Sequence, residues 1–286
     1  MSRKSLRVAI HQAEPGTGIT ADELTGYREA GIEALVFPEY FWVRPEDHDH
    51  LAAAAHFAED MACLSRLSSE EGWLVVGGTL VEPDGDAHHN ACPLFWRGEE
   101  LARYRKIHLM PGEARHGILP GDRFTIAEAL GLRLAPVVCA DVLYPDTFAH
   151  VAELRPDLII APMSSPFRPV DPIEEKDARD REIFVEGALR AGAPIVKACS
   201  VGTLFQRPLQ GRSLVATPRG ILFRTPFEEE SARRAWVVEI PVRQGWYAGR
   251  GIPSDPVYAV YAEKLGAAMR RPRMAADLDF AKAPDD

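Results

Sequence analysis

Short apolar runs rich in β-branched residues alternate along the chain with longer amphipathic stretches. The apolar runs have the length of strands, and turn-forming residues bound them. They cover residues 6–12, 34–40, 73–80, 132–139, 158–162 and 194–200. The amphipathic stretches predict helices over residues 21–31, 50–71, 145–154 and 172–191. This alternation predicts an α/β fold.

A second kind of strand is predicted where polar and apolar residues mix. These runs cover residues 91–96, 100–109, 212–224 and 235–241. Turns at Arg97-Gly98 and at residues 218–220 connect them, so we expect antiparallel pairing. The two kinds of strand together predict a domain with mixed sheets and with helices on the outside.

The sequence contains no repeat, low-complexity segment or linker that would divide it. We therefore predict a single domain over residues 1–271. Residues 272–286 are polar and include prolines, which predicts a tail that is disordered or docks on a partner subunit. The apolar and aromatic positions of residues 246–269 suit an arm between subunits or a helix of the same domain.

Composition and charge exclude several classes of function. With 286 residues, 46% of them hydrophobic and 26% charged, the chain can bury a sizeable core. The net charge of -9 argues against nucleic acid as a partner. No apolar run approaches the roughly 20 residues that span a bilayer, so no membrane partner is predicted. The first residues turn polar too soon for a secretory signal, and we expect a cytoplasmic protein.

The four cysteines lack the paired spacing of a disulfide framework or a zinc site, so we expect reduced thiols. Cys63 and Cys92 lie on a predicted helix and a predicted strand and are expected in the core. Cys139 differs because it ends a predicted strand, and strand ends in α/β proteins converge on a crevice. It is therefore the candidate for chemistry.

Two further reactive side chains, Glu39 and Lys106, lie on two other predicted strands. Glutamate, lysine and cysteine together can hydrolyse an unactivated carbon-nitrogen bond. A thiol becomes a nucleophile when a nearby carboxylate, here Glu39, takes its proton. The negative charge that then builds on the substrate can be met by Lys106 and by the backbone N–H of Ala140.

Three segments carry these residues in a fixed order: FPEYFW, then YRKIHLMPGE, then VVCADVLYPD. In this order they resemble the nitrilase superfamily, also called the carbon-nitrogen hydrolases, whose active sites use Glu, Lys and Cys. RVAIHQAEPGTG, VVGGTL and GRSLVATPRGILFR are also similar to the family, so the resemblance covers about residues 6–244. Three ordered motifs are far more specific than any one of them.

The resemblance implies a four-layer αββα sandwich of two mixed sheets with outer helices. It implies that Glu39 is the general base, Lys106 the oxyanion-stabilising lysine and Cys139 the nucleophile. The N–H of Ala140 would be a second donor to the oxyanion. The family's second glutamate corresponds to Glu113, which would hold Lys106 and position substrate or water.

The implied reaction is ping-pong acyl transfer through a cysteine thioester, without a metal or an organic cofactor. The substrate would be a small amide, carbamoyl compound or nitrile, and ammonia or an amine would leave. An amide or carbamoyl group is favoured, because nitrile-hydrolysing members commonly carry tryptophan where this chain has Ala140. The family also suggests a homodimer or a larger homo-oligomer.

Neighbouring residues have more ordinary interpretations. Asp141 is expected to fasten the turn after Cys139 by accepting backbone hydrogen bonds. Lys197 and Cys199, in the segment KACSVG, could line the pocket, and core packing is the better prediction for Cys199.

Histidines support a rival interpretation, a metal-dependent hydrolase or a Cys-His dyad. The candidates are the DHDH segment at residues 47–50, His88, His89 and His116. The first three sites lie in polar stretches and are expected on the solvated surface. His108 is expected to border the pocket.

A further alternative is a catalytically silent binding or regulatory protein on the same fold. The charged residues Glu39 and Lys106 argue against it, because burying them beside Cys139 is costly for a mere scaffold. Failure to trap any acyl-thioester on Cys139 would favour the silent protein.

Overall fold

The computed structural model describes residues 5–167 and 171–242. Its strands are β1 (Ser5–Gln12), β2 (Ala34–Val36), β3 (Leu74–Val76), β4 (Leu80–Asp84), β5 (Ala87–Trp96), β6 (Glu99–Arg105), β7 (Ala127–Ala129), β8 (Leu132–Pro136), β9 (Leu158–Met163), β10 (Ile195–Cys199), β11 (Thr203–Leu204), β12 (Arg207–Pro208), β13 (Leu214–Thr217), β14 (Gly220–Arg224) and β15 (Arg234–Pro241). Its α-helices are α1 (Ala21–Glu29), α2 (His50–Ala54), α3 (Phe57–Glu71), α4 (Pro111–Arg115), α5 (Pro145–Glu153), α6 (Ile173–Asp180) and α7 (Glu186–Ala191).

Two large sheets organise these elements. The first has seven strands in the order β15-β1-β2-β3-β5-β4, with β6 paired to β5. The second has six strands in the order β14-β13-β10-β9-β8-β7. Both are mixed, because parallel central strands are flanked by antiparallel ones. The pair of β11 and β12 stands apart.

The sheets pack face to face. Val8 and Val36 of the first sheet join Leu134 and Ile160 of the second in one buried cluster. Each of these residues lies on the face of its strand that points toward the other sheet, because successive side chains of a strand point to opposite faces. The space between the sheets is therefore an apolar core.

Helices cover the outer faces of both sheets. Tyr27 of α1 and Leu64 of α3 pack in one cluster on the first sheet, and Phe148 of α5 and Ala188 of α7 pack in another on the second sheet. The resulting order of layers is helix, sheet, sheet, helix. This confirms the predicted αββα sandwich.

Several predicted elements differ from the structure in length. The strands predicted over 34–40 and 132–139 end at Val36 and Pro136. The helix predicted over 50–71 is divided into α2 and α3, and the one predicted over 172–191 contains a π-helical turn at Arg181–Val185. Among the residues that the structure describes, no helix has both the length and the apolar character needed to cross a membrane.

Two predictions at the carboxyl end, the boundary between residues 271 and 272 and the arm or helix over 246–269, lie outside the described residues.

Candidate active site

Glu39 lies in the turn after β2 and is buried. A close approach shapes this turn, since a Cβ added to Gly78 would lie 2.0 Å from the carbonyl oxygen of Pro38. Gly78 also has a φ of +66°, so glycine is required there. The next residue, Tyr40, has a φ of 54° and donates its N–H to the Thr79 hydroxyl at 2.9 Å. These contacts fix the direction of the Glu39 side chain.

Lys106 directly follows the last residue of β6, whereas the sequence predicts it inside a longer strand. Its N–H donates to the Asn90 carbonyl at 2.8 Å. Its ammonium, on a side chain only 1% exposed, donates to Glu39 Oε1 at 2.8 Å and to Glu113 Oε2 at 2.7 Å. One buried ammonium is therefore shared by two carboxylates.

Glu113, in α4, accepts four hydrogen bonds. Its Oε2 accepts the N–H of Met110 at 2.7 Å in addition to the Lys106 ammonium. Its Oε1 accepts the Tyr40 hydroxyl at 2.6 Å and the Asn90 side-chain amide at 2.7 Å. These bonds hold Glu113 in one orientation against Lys106.

Two neutral residues connect the carboxylates to the rest of the site. The Asn90 amide that reaches Glu113 also donates to Glu39 Oε1 at 3.0 Å. Ser164, which follows β9, donates its N–H and its hydroxyl to Glu39 Oε2 at 3.0 and 2.5 Å. The carbonyl oxygen of Ser164 lies 3.9 Å from Cys139 Sγ. Ser164 thus contacts both Glu39 and Cys139, which follow strands of different sheets.

Cys139 begins a short 3-10 helix after β8 and has a φ of 42°. This left-handed conformation costs a non-glycine residue about 1–3 kcal/mol and is commonest at functional sites. The carboxylate of Asp141 holds the turn, because it accepts the N–H of Val138 at 2.8 Å and the N–H of His108 at 2.9 Å. The predicted role of Asp141 is confirmed.

A cavity of about 200 Å³, which we call the Lys106 cavity, brings these side chains together. Its wall includes Glu39, Lys106, Glu113 and Cys139, with Tyr40, His50, His116, Ser164 and Phe205. Ala140 is buried at the second position of the 3-10 helix. The N–H groups in the first turn of a helix have no partner within that helix. The structure thus gathers the predicted side chains around one space.

Burial and charge set the protonation states in this cavity. Burial would lower the pKa of Lys106, but the charges of Glu113 and Glu39 outweigh it and raise that pKa well above its ordinary value. Burial would raise the pKa of Glu113, but Lys106 and the hydrogen bonds lower it. Burial and then the charge of Glu39 raise the pKa of the Cys139 thiol well above its usual range. The resting site therefore has an ammonium beside a neutral thiol.

Three polar residues that hydrogen-bond the carboxylates of the site are missing from the sequence prediction. Tyr40 belongs to the segment FPEYFW, Asn90 precedes the predicted strand 91–96, and Ser164 follows the predicted strand 158–162. Asn90 gave the clearest signal, because an amide next to an apolar run is a candidate for a buried polar residue with partners. Nothing in the sequence indicated that its amide bridges two carboxylates.

The prediction of surface positions for the histidines is wrong for His50 and His89, each 7% exposed. The ring of His50 lies 5.2 Å from that of His116 and 4.5 Å from that of Phe205, and burial lowers its pKa to about 4. His108 bonds Asp141 through its N–H and Nδ1 and so supports the turn. Within the described ranges, no three His, Cys, Asp or Glu side chains are grouped as metal ligands.

The other cysteines do not line the Lys106 cavity. Cys92 and Cys199 are buried in apolar clusters, as predicted, while Cys63 is partly exposed on α3. All four thiols are free of disulfide bonds.

Comparison with known protein families shows which family the chain belongs to. Residues 10–241 match the model of the carbon-nitrogen hydrolase family. The chain belongs to that family. The curated relatives of this carbon-nitrogen hydrolase include omega-amidase NIT2-B of Xenopus laevis, 26% identical over 185 residues, 60% of this chain and 64% of the relative. An (R)-stereoselective amidase of a Pseudomonas species is 27% identical over 168 residues, with coverages of 56% and 60%. The chain thus matches less than two thirds of the length of these relatives.

Solved structures show the same architecture. The carbon-nitrogen hydrolase from Helicobacter pylori G27 superimposes with a TM-score of 0.71 at 19% identity, over 97% of this chain and 99% of that one. A mutant amidase from Nesterenkonia sp. AN1 gives 0.69 at 20% identity, over 96% and 97%. That structure has the acetamide moiety of fluoroacetamide added covalently at its active site cysteine. At such identities the likeness establishes the fold.

Proposed function

We propose that this carbon-nitrogen hydrolase cleaves the amide or N-carbamoyl group of a small molecule through an acyl-thioester on Cys139. One observation carries the proposal: Glu39 and Glu113 share the Lys106 ammonium in a cavity that Cys139 also lines. The family, the amidases among its relatives and the modified cysteine of the Nesterenkonia amidase support the same reaction class.

The first step requires a base, because the raised pKa of Cys139 keeps its thiol protonated. Glu39 takes the proton from Sγ while the sulfur bonds to the carbonyl carbon of the substrate. The carbonyl oxygen becomes an oxyanion. The Lys106 ammonium and the N–H of Ala140 are the donors that stabilise it.

The tetrahedral intermediate then collapses. Its carbon-nitrogen bond breaks, Glu39 returns the proton to the departing nitrogen, and ammonia or an amine leaves behind the thioester. A water molecule loses a proton to Glu39 and attacks the thioester carbon. The acid is released as Sγ leaves and regains that proton. Cys139, Glu39 and water account for every proton and bond, so the proposal needs no metal or organic cofactor.

Glu113 has a positioning role in this scheme. Its bonds to the N–H of Met110 and the hydroxyl of Tyr40 hold its carboxylate against the Lys106 ammonium. Lys106 is thereby kept charged and fixed in place before substrate arrives. Donors that need no reorganisation during the reaction stabilise an oxyanion most effectively.

The test is intact-protein mass spectrometry after incubation with short amides, N-carbamoyl amino acids and nitriles, quenched in acid. We expect wild type to gain the mass of an acyl group and to release ammonia or an amine. Cys139→Ala should do neither, whereas Cys63→Ala should behave like wild type.

Two outcomes would contradict the proposal. Product release that persists in Cys139→Ala would exclude the thioester. No adduct and no product from wild type across the panel would favour a silent binding protein. An adduct from nitriles alone would instead assign nitrile hydrolysis to the same residues.

A further inference from the structure

A second cavity also reaches Cys139. It has a volume of about 420 Å³ and shares Met110, Cys139, Ser164 and Pro166 with the Lys106 cavity. We call it the Lys197 chamber. Cavities of this size hold small molecules. A substrate whose reacting carbon lies at Cys139 can therefore extend into the chamber.

The chamber wall combines apolar and charged side chains. Leu143, Met163 and Phe184 contribute apolar surface, and Asp180, Lys197 and Arg212 contribute charges. Phe184 belongs to the π-helical turn at Arg181–Val185. Such turns occur frequently at functional sites.

The charged residues of the wall belong to a larger buried cluster of ion pairs. Asp180, 2% exposed, binds three cations: Lys197 Nζ at 3.2 Å, Arg212 at 2.9 Å and Arg224 at 3.2 Å. Glu230 binds Arg224 at 2.9 Å and Lys176 at 3.0 Å. We call these six residues the Asp180 cluster.

Cations outnumber carboxylates in the Asp180 cluster. Four basic side chains face two acidic ones, and none of the six side chains is more than 11% exposed. Burying charge without a counter-charge is costly. The cluster is also short of acceptors, since the buried Nε of Arg212 has no hydrogen-bond partner in the described part of the chain. A bound anion would relieve both deficits.

The other charged residues that line the chamber are more exposed to solvent than this wall. Glu175 and Glu182 are exposed, so solvent screens their charges. Arg179 pairs with Asp171 at 2.9 Å and is partly exposed. The buried wall at Lys197 and Arg212 therefore sets the charge preference.

We infer that the Lys197 chamber binds a carboxylate of the substrate, so that the preferred substrate is a small amide carrying a carboxylate at its other end. This inference rests on the proposed function, which places the amide carbon at Cys139. Lys197 and Arg212 supply the cationic donors. Charge-assisted hydrogen bonds of this kind are about twice as strong as neutral ones.

The first test compares wild-type kcat/KM for amides that differ only in the carboxylate. The pairs are succinamate with butanamide, glutaramate with pentanamide, and adipamate with hexanamide. At least one acid should exceed its methyl counterpart about ten- to hundredfold, the value of a hydrogen bond to a charged group. Equal rates within all three pairs would overturn the inference.

A second test assigns the effect to residues. Lys197→Met should raise KM for the preferred acid about tenfold or more and leave its methyl counterpart nearly unchanged. Lys197→Arg should retain much of the preference. Arg181→Gln is the matched control, because Arg181 is exposed and pairs with Asp177 outside the chamber. An equal loss for both members of a pair would contradict a role in charge recognition.

A third test needs no turnover. Glutarate, succinate and adipate are titrated into Cys139→Ala by calorimetry, with and without Lys197→Met. We expect one diacid to bind and Lys197→Met to weaken it about tenfold or more. Binding without hydrolysis of any amide would reject the proposed function and keep the anion site. Absence of binding, or binding indifferent to Lys197→Met, would reject the anion site whether or not amides are hydrolysed.

Discussion

Two buried ionic clusters approach Cys139 from different cavities, and their charge balances are opposite. At Lys106, one ammonium lies between the carboxylates of Glu39 and Glu113. In the Asp180 cluster, four basic side chains surround two carboxylates. Burial alone therefore does not decide the charge that a site carries.

The opposite charge balances suit the two clusters to different tasks. The Lys106 site has one more carboxylate than ammonium groups. The extra carboxylate can act as the base that removes a proton from the thiol. The Asp180 cluster keeps excess cations and an Arg212 Nε without a partner, which suits a site that binds an anion. The first imbalance suits a reaction step, and the second suits recognition. Substitutions at the two sites should therefore affect different quantities.

The largest effect is expected from Lys106→Met. Loss of an oxyanion donor typically lowers kcat by about 10²–10³-fold. It also leaves two buried carboxylates facing each other, and removing one partner from a buried ion pair costs about 3–5 kcal/mol. Steady-state kinetics and urea unfolding at neutral pH measure the two effects.

The control for Lys106→Met is again Arg181→Gln. Its ion pair with Asp177 is solvent-exposed, and exposed pairs contribute little to stability. A Lys106→Met protein that unfolds like wild type would show that the ammonium is not essential to hold the carboxylates together. A variant that keeps wild-type kcat would remove Lys106 from the mechanism.

A smaller effect on stability distinguishes the members of the Asp180 cluster. Asp180→Asn deprives three cations of their shared carboxylate, and we expect it to lower the free energy of unfolding by about 3 kcal/mol. Lys197→Met removes one cation from an excess, so its expected cost is about 1 kcal/mol or less. Urea unfolding of both variants measures the difference. Equal costs would contradict the idea that the cluster has surplus positive charge.

The fold was predictable from local pattern to a large extent. The apolar runs marked β1, β9 and β10 to within two residues, and a mixed run marked β15 equally well. Another mixed run marked the end of β5 but not its start, which is Ala87. The predicted lengths of the strands were wrong where tertiary contacts override local propensity. The strand predicted to continue to residue 40 ends at Val36, since Pro38 has no N–H and the following turn packs on Gly78.

The site was predictable only where chemistry follows a sequence motif. Glu39, Lys106, Glu113 and Cys139 each belong to a segment with its own signal, and the structure brings them to one cavity. The position of Ser164 could not be read from the sequence, because its contacts with Glu39 and Cys139 depend on how two sheets pack. Lys197 was expected as a pocket residue, but the rest of the Asp180 cluster was missed for the same reason, since its members are scattered between residues 176 and 230.

The smallest expected effect is the pH dependence of the two clusters. The folded-state pKa values of Glu113 and Asp180 both lie below their ordinary values, 4.5 and 3.8. A lowered pKa contributes stability above the unfolded-state value, and that contribution is lost as the pH falls through the folded-state value. The stability difference between wild type and Glu113→Gln should therefore shrink below about pH 4.5, and that for Asp180→Asn only below about pH 3.8.

Urea unfolding of the three proteins at about pH 7, 5 and 4 measures both differences, and titrations common to all three cancel. At about pH 4 the Glu113→Gln deficit should have begun to shrink while the Asp180→Asn deficit persists. A Glu113→Gln deficit that grows on acidification would mean that Glu113 takes up a proton more readily in the folded protein than in the unfolded one. Lys106 would then have one charged partner, and the opposite charge balance of the two clusters would fail at the Lys106 site.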